Sequence, residues 1–400
     1  MSRSVNAIAP LLAILLTNFA QGMYCMFLSE HYCLMCSPTS HALSSASSFS
    51  VPPMATSYPR QLHAGGFSLP PMVEDLIPIA TSIKTASAAD SDSHTEDVIL
   101  QKDLLLVRPP DMESLWEWYA YTKKQTESDP SWGRIWPTAL SLARFTLQSL
   151  HFDKDSDAST IDIDFTSKLN EQECALVKQA IKALQTTSHI IELGCGLGLA
   201  GLAFAVSAAT GSTNIKRTVT FLDREPYALH CVMASAAINN LAIAPISSEQ
   251  EMVGGTTTPP IVARSSIDDW TSTDKNICYE DLQLGALVDY ENEQTLILAS
   301  DILYEPSSMD SLATKLRNLL HPNDGGYILI TDPEKERTTG CRSALVESVQ
   351  EMGGEVVILP IPQPKNNGIA MNKSVLVESD VDIDGNLAKT VLIVVHFNGA

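Results

Sequence analysis

Basic residues are scarce in this chain of 400 residues, which has 26 lysines and arginines against 47 aspartates and glutamates and a formal net charge of −21. Lysine and arginine supply most of the affinity of proteins for nucleic-acid phosphates, so this balance argues against unaided binding to nucleic acid. The negative charge suits a basic partner, such as a lysine-rich protein segment. It equally suits an acidic surface that keeps the protein soluble.

The chain also lacks a cysteine framework. Its eight cysteines share no spacing, so they are interpreted as free thiols of a reducing compartment rather than as disulfides of a secreted scaffold. Cys33 and Cys36 form a C-x-x-C pair, but no second pair follows at zinc-finger spacing. We therefore expect no metal site.

A long apolar run is missing as well. The apolar residues 7–28 are interrupted by Asn18 and Gln21, so they fall short of the roughly twenty apolar residues of a membrane-spanning helix. Residues 1–60 resemble a signal peptide followed by a transit peptide, as in the bipartite leaders of algal plastids. Two interpretations stay open: a cytoplasmic protein, if the residues before Met54 are a spurious extension, or a plastid protein, if the leader is real. In either case we expect no stable membrane insertion of the mature chain.

The polar, acidic stretch Ala80 to Asp97 is typical of a flexible linker. We therefore expect a leader and flexible region over residues 1–96 and one folded domain over residues 97–400. Two long polar stretches, Pro245 to Pro260 and Thr271 to Gln294, exceed the usual connection between elements. They are interpreted as loop insertions that are disordered or help to bind substrate.

From Trp132 onward, short apolar runs alternate with amphipathic segments. His189–Leu193 predicts a strand and Leu199–Ala209 a helix, and the same alternation repeats along the chain. Such alternation indicates an α/β fold with a mainly parallel sheet wound on both faces. The last two predicted strands, Glu355–Ile361 and Thr390–Phe397, have no predicted helix between them, which indicates an antiparallel strand at the end of the sheet.

The segment ELGCGLG follows the first of these strands and is typical of a nucleotide-binding turn. In dinucleotide-binding folds the first glycine stands directly after the strand, but the G-x-G-x-x-G spacing here begins only at Gly196. Counted from Gly194, the third glycine is replaced by Leu199. The turn Gly194-Cys195-Gly196 beside the acid Glu192 suits S-adenosylmethionine, which has no pyrophosphate and whose ammonium group an acid can face.

Asp223 ends the next predicted strand. A carboxylate at this position accepts hydrogen bonds from both ribose hydroxyls of a nucleoside, in dinucleotide binders and in S-adenosylmethionine binders alike. The alternative interpretation is a cap for the helix that begins near Pro226.

Five stretches occur in order: GRIWPTALSLARFTL, IIELGCGLGLAGLAFA, FLDREPYAL, DDW and LILASDILYEP. This set resembles the seven-β-strand protein methyltransferases of the family 16 type. That group includes the calmodulin, valosin-containing-protein, elongation-factor and electron-transfer-flavoprotein lysine methyltransferases. The resemblance covers roughly Trp132 to Gly354. It implies a Rossmann-like, seven-stranded, mostly parallel sheet with helices on both faces and a terminal antiparallel strand.

The turn and the resemblance together predict the S-adenosylmethionine site. The residues expected to bind the cofactor are Trp136, Glu192, Gly194, Cys195, Gly196, Asp223, Trp270 and Ser300. The resemblance places Trp270 beside the adenine, Ser300 along the pocket, and the catalytic pair Asp301 and Tyr304 at the mouth where the methyl acceptor enters. Arg337 and Asp332, in the loop after a later strand, are interpreted as part of a turn and a solvated helix start and are not assigned to the site.

The sequence thus predicts an S-adenosylmethionine-dependent N-methyltransferase that acts on a protein side-chain nitrogen, with lysine as the preferred acceptor. Arginine or a small amine is the alternative acceptor. Two other classes stay open: a nicotinamide-dependent oxidoreductase that uses Gly196, Gly198 and Gly201, and a binding module without catalytic activity.

Overall fold

The computed structural model describes residues 69–86, 95–123, 129–151, 169–210, 217–244, 261–271, 277–282, 295–361 and 389–399. All of these belong to the second of two compact units into which the chain divides, Ala55–Ala400. The predicted leader and the predicted insertion Pro245 to Pro260 lie outside the described residues, as does most of Thr271 to Gln294.

The described residues form ten strands and seven α-helices. The strands are β1 Val73–Ala86, β2 Thr95–Arg108, β3 His189–Leu193, β4 Arg217–Asp223, β5 Ala242–Ile243, β6 Ile261–Ile267, β7 Thr295–Ser300, β8 Gly326–Pro333, β9 Glu355–Ile361 and β10 Thr390–Phe397. The helices are α1 Met112–Trp118, α2 Pro137–Leu150, α3 Glu171–Thr186, α4 Leu199–Thr210, α5 Pro226–Ile238, α6 Met309–Leu319 and α7 Cys341–Glu351.

Eight strands form the main sheet in the order β5-β6-β4-β3-β7-β8-β10-β9. The strands from β5 to β8 pair in parallel, whereas β10 is antiparallel to both β8 and β9. The prediction of a mostly parallel sheet with a terminal antiparallel strand is therefore confirmed. The sheet has one strand more than the seven expected, because the two-residue strand β5 extends the edge next to β6.

Both faces of the sheet are covered, which explains the apolar character of its central strands. Ile297 and Ala299 of β7 pack in one core with residues of α6 and α7. Their neighbours Leu296 and Leu298 are equally buried and point to the opposite face, because successive side chains of a strand alternate. Strands buried on both faces show continuous apolar runs, and β3 and β4 are buried at every position.

The structured body begins earlier than the expected boundary near Asp97. Strand β1 pairs with β2 in an antiparallel hairpin, from Val73 opposite Arg108 to Ala86 opposite Thr95. Both ends of the expected linker therefore lie in strands, while residues 87–94 are outside the described part of the chain. The polar composition of the stretch obscured β1, whose buried Ile77 and Ile79 follow the two-residue period of a strand.

The hairpin is attached to the main body by side chains of α5. The Val107 amide donates a hydrogen bond to Ser235 Oγ (2.8 Å), and the Leu105 amide donates one to Asn239 Oδ1 (3.2 Å). The Asn239 side-chain amide in turn donates to the Leu105 carbonyl (2.6 Å). These bonds satisfy backbone groups that β2 would otherwise leave unpaired.

Among the helices that the structure describes, none combines the length and the apolar character needed to cross a membrane. The five cysteines in the described part of the chain are free thiols.

Candidate active site

The predicted site residues meet at one edge of the sheet. Gly194 follows β3, Asp223 ends β4, Trp270 lies beyond β6, and Asp301 follows β7. These four strands are adjacent and parallel, so their carboxyl ends lie side by side. Ligands of open α/β sheets bind at this edge.

The glycine turn has a backbone that side chains would strain. Gly194, Gly196 and Gly198 have φ values of 61°, 50° and 68°, in the left-handed region. A Cβ added at Gly194 would lie 2.9 Å from Ile302 Cγ2 and 3.3 Å from the Trp270 ring. The turn is therefore held tightly between the loops that follow β6 and β7.

Asp223 is hydrogen-bonded to the glycine turn. Its Oδ2 accepts from the Gly196 amide (2.8 Å) and its Oδ1 accepts from the Glu225 amide (2.9 Å). The carboxyl is buried, and burial raises its pKa while these backbone bonds lower it. Each carboxylate oxygen accepts more than one hydrogen bond, so both oxygens keep capacity for a ligand hydroxyl.

Glu192 lies beneath the turn and contacts helix α4. Its Oε2 accepts from the Gly201 amide in the first turn of that helix (2.8 Å). The carboxyl is fully buried, and burial raises its pKa from 4.5 to about 8. This helix-capping contact was not expected from the sequence. The predicted contact with the cofactor's ammonium group stays a prediction, and Oε1 has no hydrogen-bond partner among the described residues.

Position 201, where α4 crosses the sheet, has no room for a side chain larger than that of glycine. A Cβ added there would lie 2.7 Å from both Glu192 Oε2 and Phe221 Cε1. The third glycine of the dinucleotide spacing has the same packing role, so this contact is compatible with both cofactor classes.

The raised pKa of Glu192 predicts a pH-dependent stability. The Glu192 carboxyl has a pKa of about 8 in the folded chain and 4.5 in the unfolded chain, so the folded chain holds its proton more tightly. The stability that this proton contributes is therefore lost as the pH rises from about 4.5 through 8. Glu192→Gln is neutral at every pH and keeps an acceptor for the Gly201 amide. The measured quantity is the free energy of unfolding of Glu192→Gln minus that of the native chain. We expect this difference to be roughly 2–4 kcal/mol larger at pH 8.5 than at pH 5.

Urea denaturation at the two pH values measures this difference. Glu334→Gln, which changes an exposed carboxyl of another loop, is the matched control and should follow the native pH dependence. Parallel pH profiles for the native chain and Glu192→Gln would contradict the assigned pKa.

Cys195 is a structural part of the turn. It is buried, and its amide donates to the Leu222 carbonyl of β4 (3.0 Å). Burial, with Asp223 and Glu192 nearby, raises the pKa of its thiol well above the usual value. Because the thiolate is the reactive form, this thiol is not suited to nucleophilic chemistry.

Trp270 is buried against the turn, and its contact with the cofactor stays a prediction. Its loop is held by a buried ion pair. Lys315 of α6 donates to Asp268 Oδ1 (2.7 Å) and to the Ile277 carbonyl. The Asp268 amide donates to the Asp223 carbonyl (2.9 Å). The side chains of Lys315 and Asp268 are 2% and 0% exposed. This pair was not predicted from the sequence.

The predicted mouth contains Asp301 and Tyr304, and Trp136, which is predicted to lie beside the cofactor, is joined to Asp301 through Arg337. Ser300 ends β7, and Asp301 follows it with a φ of 56° and donates its amide to the Thr331 carbonyl of β8 (2.9 Å). Tyr304 is 39% exposed, and burial of the rest of its ring raises the pKa of its hydroxyl. Trp136 precedes α2 and donates its indole N–H to the Ser131 carbonyl (3.2 Å).

Arg337 connects two of these residues, although the sequence interpretation left it outside the site. Its Nε donates to Asp301 Oδ1 (2.7 Å), and its guanidinium carbon lies 4.2 Å from the centroid of a Trp136 ring. The following residue, Thr338, donates its hydroxyl to the Tyr304 carbonyl (2.9 Å). The only sequence signal for this role was the position of the loop after β8, beside the end of β7.

Among the described residues, no group of three or more histidine, cysteine, aspartate or glutamate side chains is arranged to hold a metal ion.

No protein-family model matches the chain, and a search among curated proteins finds no match. Similar solved structures include a SAM-dependent methyltransferase from Methanosarcina mazei, with 13% identity, a TM-score of 0.27 and coverage of 55% of this chain and 96% of that chain. A putative methyltransferase from Bacillus halodurans has 12% identity, a TM-score of 0.29 and coverage of 57% and 99%.

A third similar structure is TYW2 from P. horikoshii in complex with MeSAdo, with 14% identity, a TM-score of 0.29 and coverage of 56% of this chain. This chain spans 63% of the length of that protein, which is less than two thirds. At such low identities and TM-scores the similarities carry no functional argument, so the function rests on the geometry of the site.

Proposed function

We propose that this chain is an S-adenosylmethionine-dependent methyltransferase that transfers the methyl group to a protein side-chain nitrogen, with lysine as the acceptor. The observation that carries the proposal is the hydrogen bond from the Gly201 amide to the buried Glu192 carboxyl. It favours one of the two cofactor classes that the glycine-rich segment allows.

Dinucleotide-binding folds direct the first-turn amides of this helix at an anionic pyrophosphate. Here Glu192 occupies an amide of that turn, and the Gly196 amide is bonded to Asp223. A buried acid at the helix start competes with a pyrophosphate for the same donors and repels its charge when ionised. These contacts disfavour a nicotinamide dinucleotide and favour a ligand without phosphates.

S-adenosylmethionine fits the residues that surround the turn. Asp223 has acceptor capacity for the ribose hydroxyls, and Trp270 presents an aromatic ring at the turn for the adenine. Asp223 and Asp301 supply carboxyl groups near a ligand that carries a positive sulfonium. When bound, this cofactor supplies an electrophilic methyl group that a nitrogen lone pair attacks in line.

The residues of the mouth suit a lysine acceptor. The free amine has a pKa near 10.4, so it must lose a proton before it reacts. Desolvation beside Trp136 and Tyr304 and the positive sulfonium of the bound cofactor lower the pKa of the ammonium group, whereas the Asp301 carboxylate opposes that shift. Asp301 accepts a hydrogen bond from the amine and aligns it, and alignment alone supplies much of the rate enhancement of such displacements. The acidic balance of the chain suits a basic substrate segment.

Two measurements test the proposal. Titration calorimetry with S-adenosylmethionine and with NAD separates the two cofactor classes, and tight binding of NAD alone would overturn the assignment. Transfer of labelled methyl groups to a protein extract, followed by mass spectrometry of the labelled band, identifies the acceptor atom. Labelling on arginine or on a small amine would select the alternative acceptor, and cofactor binding without transfer would indicate a binding module.

Asp301→Asn is the variant that tests the acceptor side. Asparagine is chosen because it tolerates the left-handed backbone of this position better than alanine does. We expect kcat/KM for the acceptor to fall roughly 10- to 150-fold, as for the loss of one charged hydrogen bond, with little change in cofactor affinity. The control is Glu334→Gln on the neighbouring loop. Unchanged labelling in Asp301→Asn would refute the role of Asp301.

A further inference from the structure

We propose that Arg337 occupies the seat of the methyl-accepting side chain, so that an acceptor must displace Arg337 in order to bind. The inference rests on the proposed function, because it takes the space between Trp136 and Asp301 as the acceptor seat. Arg337 is then a specificity-determining residue that acts by competition.

The seat has the chemistry of a cation site. Asp301 supplies a carboxylate that is 6% exposed, and Trp136 supplies an aromatic face. A carboxylate bond combined with stacking on an indole ring is a strong arrangement for holding an organic cation. Arg337 fills both positions at once, with its Nε at 2.7 Å from Asp301 Oδ1 and its guanidinium carbon at 4.2 Å from the ring centroid.

Arg337 is placed so that its side chain can leave while its loop stays fixed. The Arg337 side chain is 39% exposed, whereas that of Arg342 in the same segment is 16% exposed. Arg342 donates to Asp332 and to the Pro333 carbonyl, and its amide donates to Glu336 Oε1 (2.8 Å). These bonds hold the backbone on both sides of Arg337 independently of the Arg337 guanidinium.

Competition predicts which binding affinity changes when Arg337 is replaced. Removal of the arginine takes away its bond to the carboxylate and one of two guanidinium contacts of the Trp136 ring, the other being that of Arg134 at 4.3 Å. More of the seat is then open to an incoming cation, so cation affinity rises. Loss of competition from an exposed cation–aromatic contact and a partly exposed ion pair corresponds to an increase in cation affinity of about 5- to 30-fold. Arg337 itself is not assigned to the cofactor, so cofactor affinity is expected to stay within about threefold.

Small cations test the seat without any need for catalysis. The full chain is saturated with S-adenosylhomocysteine and titrated with n-butylammonium, and binding is followed by tryptophan fluorescence. Trp136→Phe identifies the part of the signal that comes from the seat. We expect Arg337→Ala to bind n-butylammonium about 5- to 30-fold more tightly than the native chain does, and Arg337→Lys to lie between them.

The matched control is Lys335→Ala, which removes an exposed positive charge from the same loop. If it raises cation affinity as much as Arg337→Ala does, the effect is general electrostatics and the proposal is wrong. Equal or weaker n-butylammonium binding by Arg337→Ala would overturn it too. A loss of S-adenosylmethionine affinity in Arg337→Ala would instead make Arg337 a cofactor ligand, again against the proposal.

A failure of the proposed function has a different signature. In that case the native chain does not bind S-adenosylmethionine in calorimetry, whatever residue stands at position 337. Where the native chain does methylate a lysine peptide, the same inference predicts that Arg337→Ala lowers the KM for the peptide and leaves kcat within about threefold. A lower kcat with unchanged KM would show that Arg337 positions Asp301, which contradicts competition.

Discussion

Replacing Asp223 with alanine is expected to weaken S-adenosylmethionine binding by roughly 100- to 10,000-fold, the effect of losing two hydrogen bonds to a charged group. Asp223 acts twice in this site. Its carboxylate holds the glycine turn through the Gly196 amide, and the remaining lone pairs accept from the ribose hydroxyls in the proposed complex. Because the carboxyl is buried, no solvent molecule replaces it without rearrangement of the turn.

Titration calorimetry of the folded variants measures this effect. Asp223→Asn keeps one oxygen acceptor and should bind with intermediate affinity. Arg224→Ala is the control at the next position, since its side chain is exposed and its ion pair with Asp129 is long (3.5 Å), and we expect less than a threefold change. An Asp223→Ala variant that is folded and binds the cofactor as the native chain does would remove Asp223 from the site.

The central strands could be predicted because burial on both faces leaves a clear trace in the sequence. Strands β3 and β7 are buried along nearly their whole length, and each carries a short apolar run that is followed by Gly194 or by Asp301. The absence of a predicted helix between β9 and β10 indicated the antiparallel strand in the same way. These features depend on local sequence alone, which is why they were visible without a structure.

Strands β1 and β6 left no such trace. Strand β6, IVARSSI, is only partly buried and mixes polar with apolar residues, so no regular period stands out. Strand β1 is stabilised by its partner and by the packing of Ile77 and Ile79, whereas the composition around it is that of a linker. In both cases tertiary contacts override the local signal.

The residues of the candidate site likewise fall into a group that local sequence predicts and a group that only tertiary contacts reveal. Gly194 and Asp223 were predicted because a turn and a strand end are local features. Three other contacts were not predicted: Glu192 caps α4, Arg337 lies on Trp136, and Lys315 pairs with Asp268. The last two join residues that are far apart in the sequence, and the first depends on how the Glu192 side chain is directed in the fold. No spacing rule relates such residues, so only the structure could reveal them.

The Lys315–Asp268 pair carries the second large effect. Lys315→Met is expected to lower the free energy of unfolding by about 3–5 kcal/mol, because it leaves the Asp268 carboxyl buried without its cation. Burial lowers the pKa of Lys315, and the bond to Asp268 opposes that shift. The same variant should weaken S-adenosylmethionine binding, because Asp268 positions the loop that carries Trp270.

Urea denaturation of the full chain measures the loss, and a double variant separates charge from packing. Lys315→Met combined with Asp268→Asn removes the orphaned charge and should recover part of the stability, since loss of both charges costs less than loss of one. Lys389→Met is the matched control, because Lys389 pairs with Glu334 at 3.8 Å on the surface, where such pairs contribute little. A Lys315→Met variant that is as stable as Lys389→Met would show that the buried pair does not hold the Trp270 loop. In that case the two variants should also bind the cofactor with equal affinity.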